Sequence, residues 1–73
     1  GPATRLLLAE RQDDLQAAFD RLTAEHRRVI GLRQFEGLSA AEAARRMGRT
    51  ETAVHSLFRR ALAAWGAILG EPE

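Results

Sequence analysis

Residues 39–60 read SAAEAARRMGRTETAVHSLFRR, and this stretch decides the fold. Ser39 followed three places later by Glu42 is a capping box. The serine hydroxyl takes an early backbone N–H while the glutamate reaches back to the serine N–H. A short helix is predicted over Ala40–Met47, with Ala44 and Met47 inward. Gly48 stops it, because glycine takes a positive φ without a Cβ clash. Thr50 then caps another helix, and Glu51 sits in its first turn, where the helix dipole favours an acid. Two helices joined by a short turn containing glycine, here Gly48-Arg49-Thr50, make a helix-turn-helix. Ala44 is small enough to let the two helices cross closely.

The second of these helices is predicted to run to Leu69. Val54, Leu57, Phe58, Ala61, Leu62, Trp65, Ile68 and Leu69 recur at steps of three and four, a wide apolar face that must be buried. Trp65 and Phe58 are read as core anchors. The opposite face carries Thr52, His55, Ser56, Arg59, Arg60 and Ala63. In a helix-turn-helix the first turns of the second helix enter the DNA major groove, and short polar side chains there permit entry.

Upstream, a helix is predicted over Arg5–Arg21, with Leu8, Leu15, Phe19 and Leu22 on one stripe. Thr23 caps a further helix over Ala24–Phe35, with Glu25 in its first turn, His26 on its surface and Val29, Leu32 and Phe35 inward. Gly31 inside that helix costs about 1 kcal/mol relative to alanine, which predicts close packing at this point. Gly37 ends it. The expected fold class is all-α: a small four-helix domain with a C-terminal helix-turn-helix and no wing. Residues 1–2 read as a tag remnant, 3–14 as a linker or the start of the first helix, 15–70 as the domain and 71–73 as a tail.

Composition narrows the function. The 73 residues carry 11 arginines and lysines, 10 acids and no cysteine, so no disulfide or thiolate metal site supplements the small core. All the basic residues are arginine. The net charge is only +1, but between residues 45 and 60 Arg45, Arg46, Arg49, Arg59 and Arg60 face the single acid Glu51. Positive charge is thus concentrated in one stretch, a footprint for an anion. No apolar run approaches the roughly 18–20 residues of a membrane span, and a cytoplasmic location is expected. There is no nucleophile–base pair, phosphate-cradling glycine loop or metal cluster, so neither catalysis, a cofactor nor a small-molecule substrate is expected. Glu51 and His55 share a helix face, but two ligands do not make a metal site.

The ordered series Arg27, Val29, Glu36-Gly37-Leu38-Ser39, Glu42, Ala44, Gly48, Val54 and Arg60-Ala61 resembles region 4 of bacterial RNA polymerase sigma factors. Within the sigma-70 family it is most similar to the extracytoplasmic-function group. The resemblance covers roughly residues 15–66 and implies a domain that recognises the −35 promoter element and docks on the flap of the polymerase β subunit. Carried over by position, Glu51, Thr52, His55, Ser56 and Arg59 are candidates for base reading. Arg45, Arg46, Arg49, Thr50 and Arg60 are candidates for phosphate contacts, which position a protein without reading sequence. An anti-sigma factor is a further partner that the resemblance implies.

The chain also departs from the family pattern. Thr23 replaces a common proline, Ala43 stands where a larger aliphatic is usual, and Leu57 stands where arginine is common. Its spacing from Val54 and Phe58 turns Leu57 inward, which removes one expected DNA contact. Two alternatives remain at this point: a LuxR-type regulator domain, which shares the helix-glycine-helix centre, and a region 4-like module that binds only protein.

Overall fold

The computed structural model describes the backbone of residues 2–72 and the side chains of residues 10–72; the inward position expected of Leu8 lies outside the described residues. The chain forms α1 (Pro2–Asp20), α2 (Ala24–Ile30), α3 (Ala40–Met47) and α4 (Glu51–Leu69), with a π-helical segment, Gly31–Phe35, continuing α2. Among the described residues there is no β-strand, so the domain is all-α and carries no wing. None of the described helices is long and apolar enough to cross a membrane.

The three helices after α1 begin as the capping residues require. Thr23, Ser39 and Thr50 are all extended, and their hydroxyls accept from the N–H groups of His26 (3.2 Å), Glu42 (3.1 Å) and Ala53 (3.1 Å). Each bond satisfies one of the N–H groups that a helix start leaves unpaired. The reciprocal half of the capping box is also present, Ser39 N–H donating to Glu42 Oε1 at 3.4 Å.

The second helix departs from expectation. At Gly31 the winding loosens: Glu36 N–H reaches the Gly31 carbonyl at 2.9 Å and Leu38 N–H the Leu32 carbonyl at 2.9 Å. A π turn holds more residues than an α turn, so later residues fall behind the stripe that a 3.6-residue period projects. Phe35, predicted inward, is consequently 63% exposed. The close packing predicted at Gly31 is not there either, since a Cβ on that residue meets nothing within 4 Å. Gly37 then turns the chain out of the helix at φ +70°.

The core gathers Leu22, Val29, Ile30, Leu32, Ala43, Ala44, Val54, Leu57 and Ala61. Ala43 is fully buried, and with Ala44 it forms the inner side of α3. Phe19, Met47, Phe58, Trp65 and Ile68 pack against this cluster while remaining partly exposed. The C-terminal half of α4 holds α1: the Trp65 indole N–H donates to the Leu15 carbonyl at 2.9 Å, and the Phe19 and Trp65 rings meet edge-on at 5.2 Å. Leu62 and Leu69, expected on the apolar face, are exposed, as is Leu15 on α1. At about 100° per residue the two α4 leucines stand about 90–110° round from the centre of Val54, Leu57 and Ala61, at the margin of the buried stripe.

Candidate nucleic-acid interface

The turn between α3 and α4 is set by backbone chemistry. Gly48 takes φ +65° and ψ +38°, the left-handed region, and Arg49 N–H donates to the Ala44 carbonyl at 3.0 Å. That is the six-to-one bond of a Schellman-type stop, which glycine allows without a Cβ penalty. Thr50 follows at once as the cap of α4, so the two helices are joined with no slack.

From this start α4 presents two sides. Val54, Leu57 and Ala61 are buried, with Leu57 only 2% exposed, as its spacing predicted. Thr52, His55 and Arg59 are exposed and Ser56 is half-buried. On an ideal helix these four lie within an arc of about 100°, facing away from the core. Glu51 is exposed beside them in the first turn. The base-reading candidates are therefore brought onto one outward surface.

A cross-brace holds α4 in this attitude. The Arg33 guanidinium lies 5.4 Å from the centre of the Phe58 ring, and its Nη1 donates to the Leu38 carbonyl at 2.7 Å. The exit from the π-helical segment, the entry to α3 and the middle of α4 are thus tied through one side chain. The Arg33 Nε is buried with no hydrogen-bond partner. Phe58 is partly buried, so it anchors from the margin of the core and not from its centre.

The phosphate candidates divide into two groups. Arg45 and Arg60 are exposed and form no ion pair among the described residues, as is also true of the base-reading candidate Arg59; Arg60 Nε donates back to the Ser56 carbonyl at 3.4 Å. Arg46 lies 4.0 Å from Glu36, and its carbonyl accepts from Arg28 Nη2 at 2.8 Å. Arg49 is paired with Glu25. Neither partner acid is visible as such in the sequence. Glu25 reads simply as a first-turn acid favoured by the dipole of α2, and Arg49 is 24 positions away. Among the described residues no group of three or more His, Asp or Glu side chains is placed to hold a metal.

The family model described as Sigma-70, region 4 matches residues 12–64. The chain belongs to that family. No curated protein and no solved structure matches it. Region 4 of sigma-70 factors is a promoter-binding module that associates with RNA polymerase, and a DNA-binding module rather than a catalytic domain. The matched span takes in the cross-brace at Arg33, the helix-turn-helix and the polar outer face of α4. The region 4 match ends at Ala64, one residue before the tryptophan that holds α1.

Proposed function

We propose that this chain is the −35-reading domain of a sigma factor of the extracytoplasmic-function group. In this reading residues 15–70 are the working domain, acting in the cytoplasm. The observation that carries it is the outward face of α4, with Thr52, His55, Ser56 and Arg59 backed by the fully buried Val54, Leu57 and Ala61. The N-terminal turns of α4 enter the major groove, and the Thr50 end of the helix meets a phosphate through its free N–H groups. Arg59 has the donor fork that suits guanine, and Glu51, which can only accept, suits the cytosine amino group. Arg45, Arg46, Arg49 and Arg60 contact the backbone and set the register. The domain carries no chemistry of its own.

Docking on the β flap is the second part of the reading. Phe35 supports it: the ring stands 63% exposed, edge-on to Phe19 at 5.6 Å and to Trp65 at 6.5 Å. An aromatic in that setting, away from the polar outer face of α4, offers apolar area that suits a protein partner. An anti-sigma factor would compete for the same surface.

Selection of duplexes from a random pool by this chain at low salt tests the reading. The recovered duplexes are expected to share a short motif, and binding should weaken steeply as salt rises, as phosphate neutralisation requires. A pool without a common motif, bound with no salt dependence, would favour a module that contacts only protein.

A further inference from the structure

The helix-turn-helix turn carries an arginine that already has a partner. Arg49, between Gly48 and the cap Thr50, donates through Nη2 to Glu25 Oε1, and the two side chains stay 41% and 43% exposed. Glu25 is stationed independently of Arg49. It lies in the first turn of α2, behind the Thr23 cap, where the helix N-terminus favours a carboxylate. The pair borders a shallow groove with Ala24, Arg28 and Met47. Arg28, the other cation there, is committed to the Arg46 carbonyl.

A carboxylate and a phosphate compete for the same guanidinium. Arginine has five N–H donors, so Arg49 can reach a phosphate while still touching Glu25, but the carboxylate then faces a like charge. If the pair opens instead, its attraction is lost; for exposed pairs that corresponds to at most about a fivefold equilibrium. On either route the charge of Glu25 subtracts from what Arg49 contributes. We propose that Glu25 masks Arg49, which holds down the chain's affinity for duplexes of any sequence and leaves discrimination to the face of α4. This rests on the DNA-binding reading above. It follows from that reading because phosphate contacts dominate non-specific binding, whereas base contacts specify.

Glu25→Gln removes the charge while keeping the shape and an acceptor oxygen. Asp14→Asn is the control for net charge: Asp14 lines the groove beside Ile68 and Leu69 at the far end of α4, about 27 Å along the helix from Thr50. Wild type, Glu25→Gln, Asp14→Asn, Arg49→Ala and the Glu25→Gln/Arg49→Ala double variant are titrated with a short random-sequence duplex between about 50 and 200 mM salt. Glu25→Gln is expected to tighten binding about two- to fivefold and to steepen the salt slope by up to about 0.9. Asp14→Asn should gain less, and in the Arg49→Ala background Glu25→Gln should gain no more than Asp14→Asn. Equal gains from Glu25→Gln and Asp14→Asn overturn the proposal, as does a Glu25→Gln gain above that of Asp14→Asn that survives the loss of Arg49. Weaker binding by a fully folded Glu25→Gln also overturns it, because Glu25 would then be positioning Arg49. If none of the five proteins binds the duplex in a salt-dependent way, the DNA-binding reading itself falls and takes the proposal with it.

Discussion

The two halves of α4 share one backbone and have different work. In the N-terminal half, Val54 and Leu57 are fully withdrawn into the core while Thr52, His55 and Arg59 stand out from it. In the C-terminal half the inward residues beyond Ala61, Trp65 and Ile68, are only partly covered, and the outward ones, Leu62, Ala63, Gly66, Ala67 and Leu69, carry no charge. α4 packs on α2, α3 and α1; its first half offers the polar surface, and its second half grips α1 through the indole of Trp65. About 20 Å of helix separates Thr52 from Trp65. Under the proposed function, base reading and anchoring are separated along one rod, and substitutions in the two halves should separate stability from binding.

Trp65→Ala should have the largest effect. It removes the indole hydrogen bond to the Leu15 carbonyl and the edge contact with Phe19. Tryptophan-to-alanine changes in cores cost about 3–5 kcal/mol, and the partial exposure of Trp65 places this one near the lower end. A domain of this size has only about 4–11 kcal/mol to lose, so thermal melting should fall markedly. Duplex affinity per folded molecule, measured well below the melting temperature, should stay at the wild-type value. A loss of affinity equal to that of an interface substitution would mean that the two halves are not separable.

Arg59→Ala is the converse. Its side chain is exposed with no ion pair among the described residues, so melting should move by no more than an ordinary surface change, within about 0.5 kcal/mol. Binding to the selected duplex should weaken by about 1–3 kcal/mol if Arg59 reads a base, with preference relaxed at that position. A uniform loss across sequences, with a salt slope shallower by about 1, would make Arg59 a phosphate contact instead.

Most of the centre of the domain is legible in the amino-acid sequence. The capping box at Ser39 and Glu42, the stop at Gly48 and the cap at Thr50 are local devices, each complete within a few residues, and all form as expected. The inward turn of Leu57 is legible too, because periodicity alone decides which side of a helix a residue takes. Expectation and structure part where a local rule is overridden from a distance. Nothing in GLRQF announces a wider turn, so a constant period projects Phe35 inward where that period no longer applies. Leu62 and Leu69 belong to the apolar pattern, but how far round the helix burial extends depends on the neighbours that cover it. The pairing of Arg49 with Glu25 and the seat of Arg33 on Phe58 join residues far apart in the chain, and only folding brings them together.

The smallest effect concerns the pH dependence of the entry to α3, on the side of the comparison that presents α4. The Ser39 hydroxyl, donating to Glu42, does most to hold that carboxylate below the ordinary value of 4.5; the Ser39 N–H adds to this, and the charges of Arg45 and Arg46 contribute less. A group whose pKa is lower in the folded chain binds protons more readily when unfolded, so stability rises with pH across its range. The contribution of Glu42 is therefore complete above the ordinary carboxylate value and fades as pH falls through the depressed one. Glu42→Gln keeps the reciprocal cap, which glutamine can also make, but has no charge to lose. The difference in melting temperature between wild type and Glu42→Gln should be constant near neutral pH and shrink under acid. A difference that stays constant to the acid limit would place the whole value of the capping box in its neutral hydrogen bonds and none in the charge.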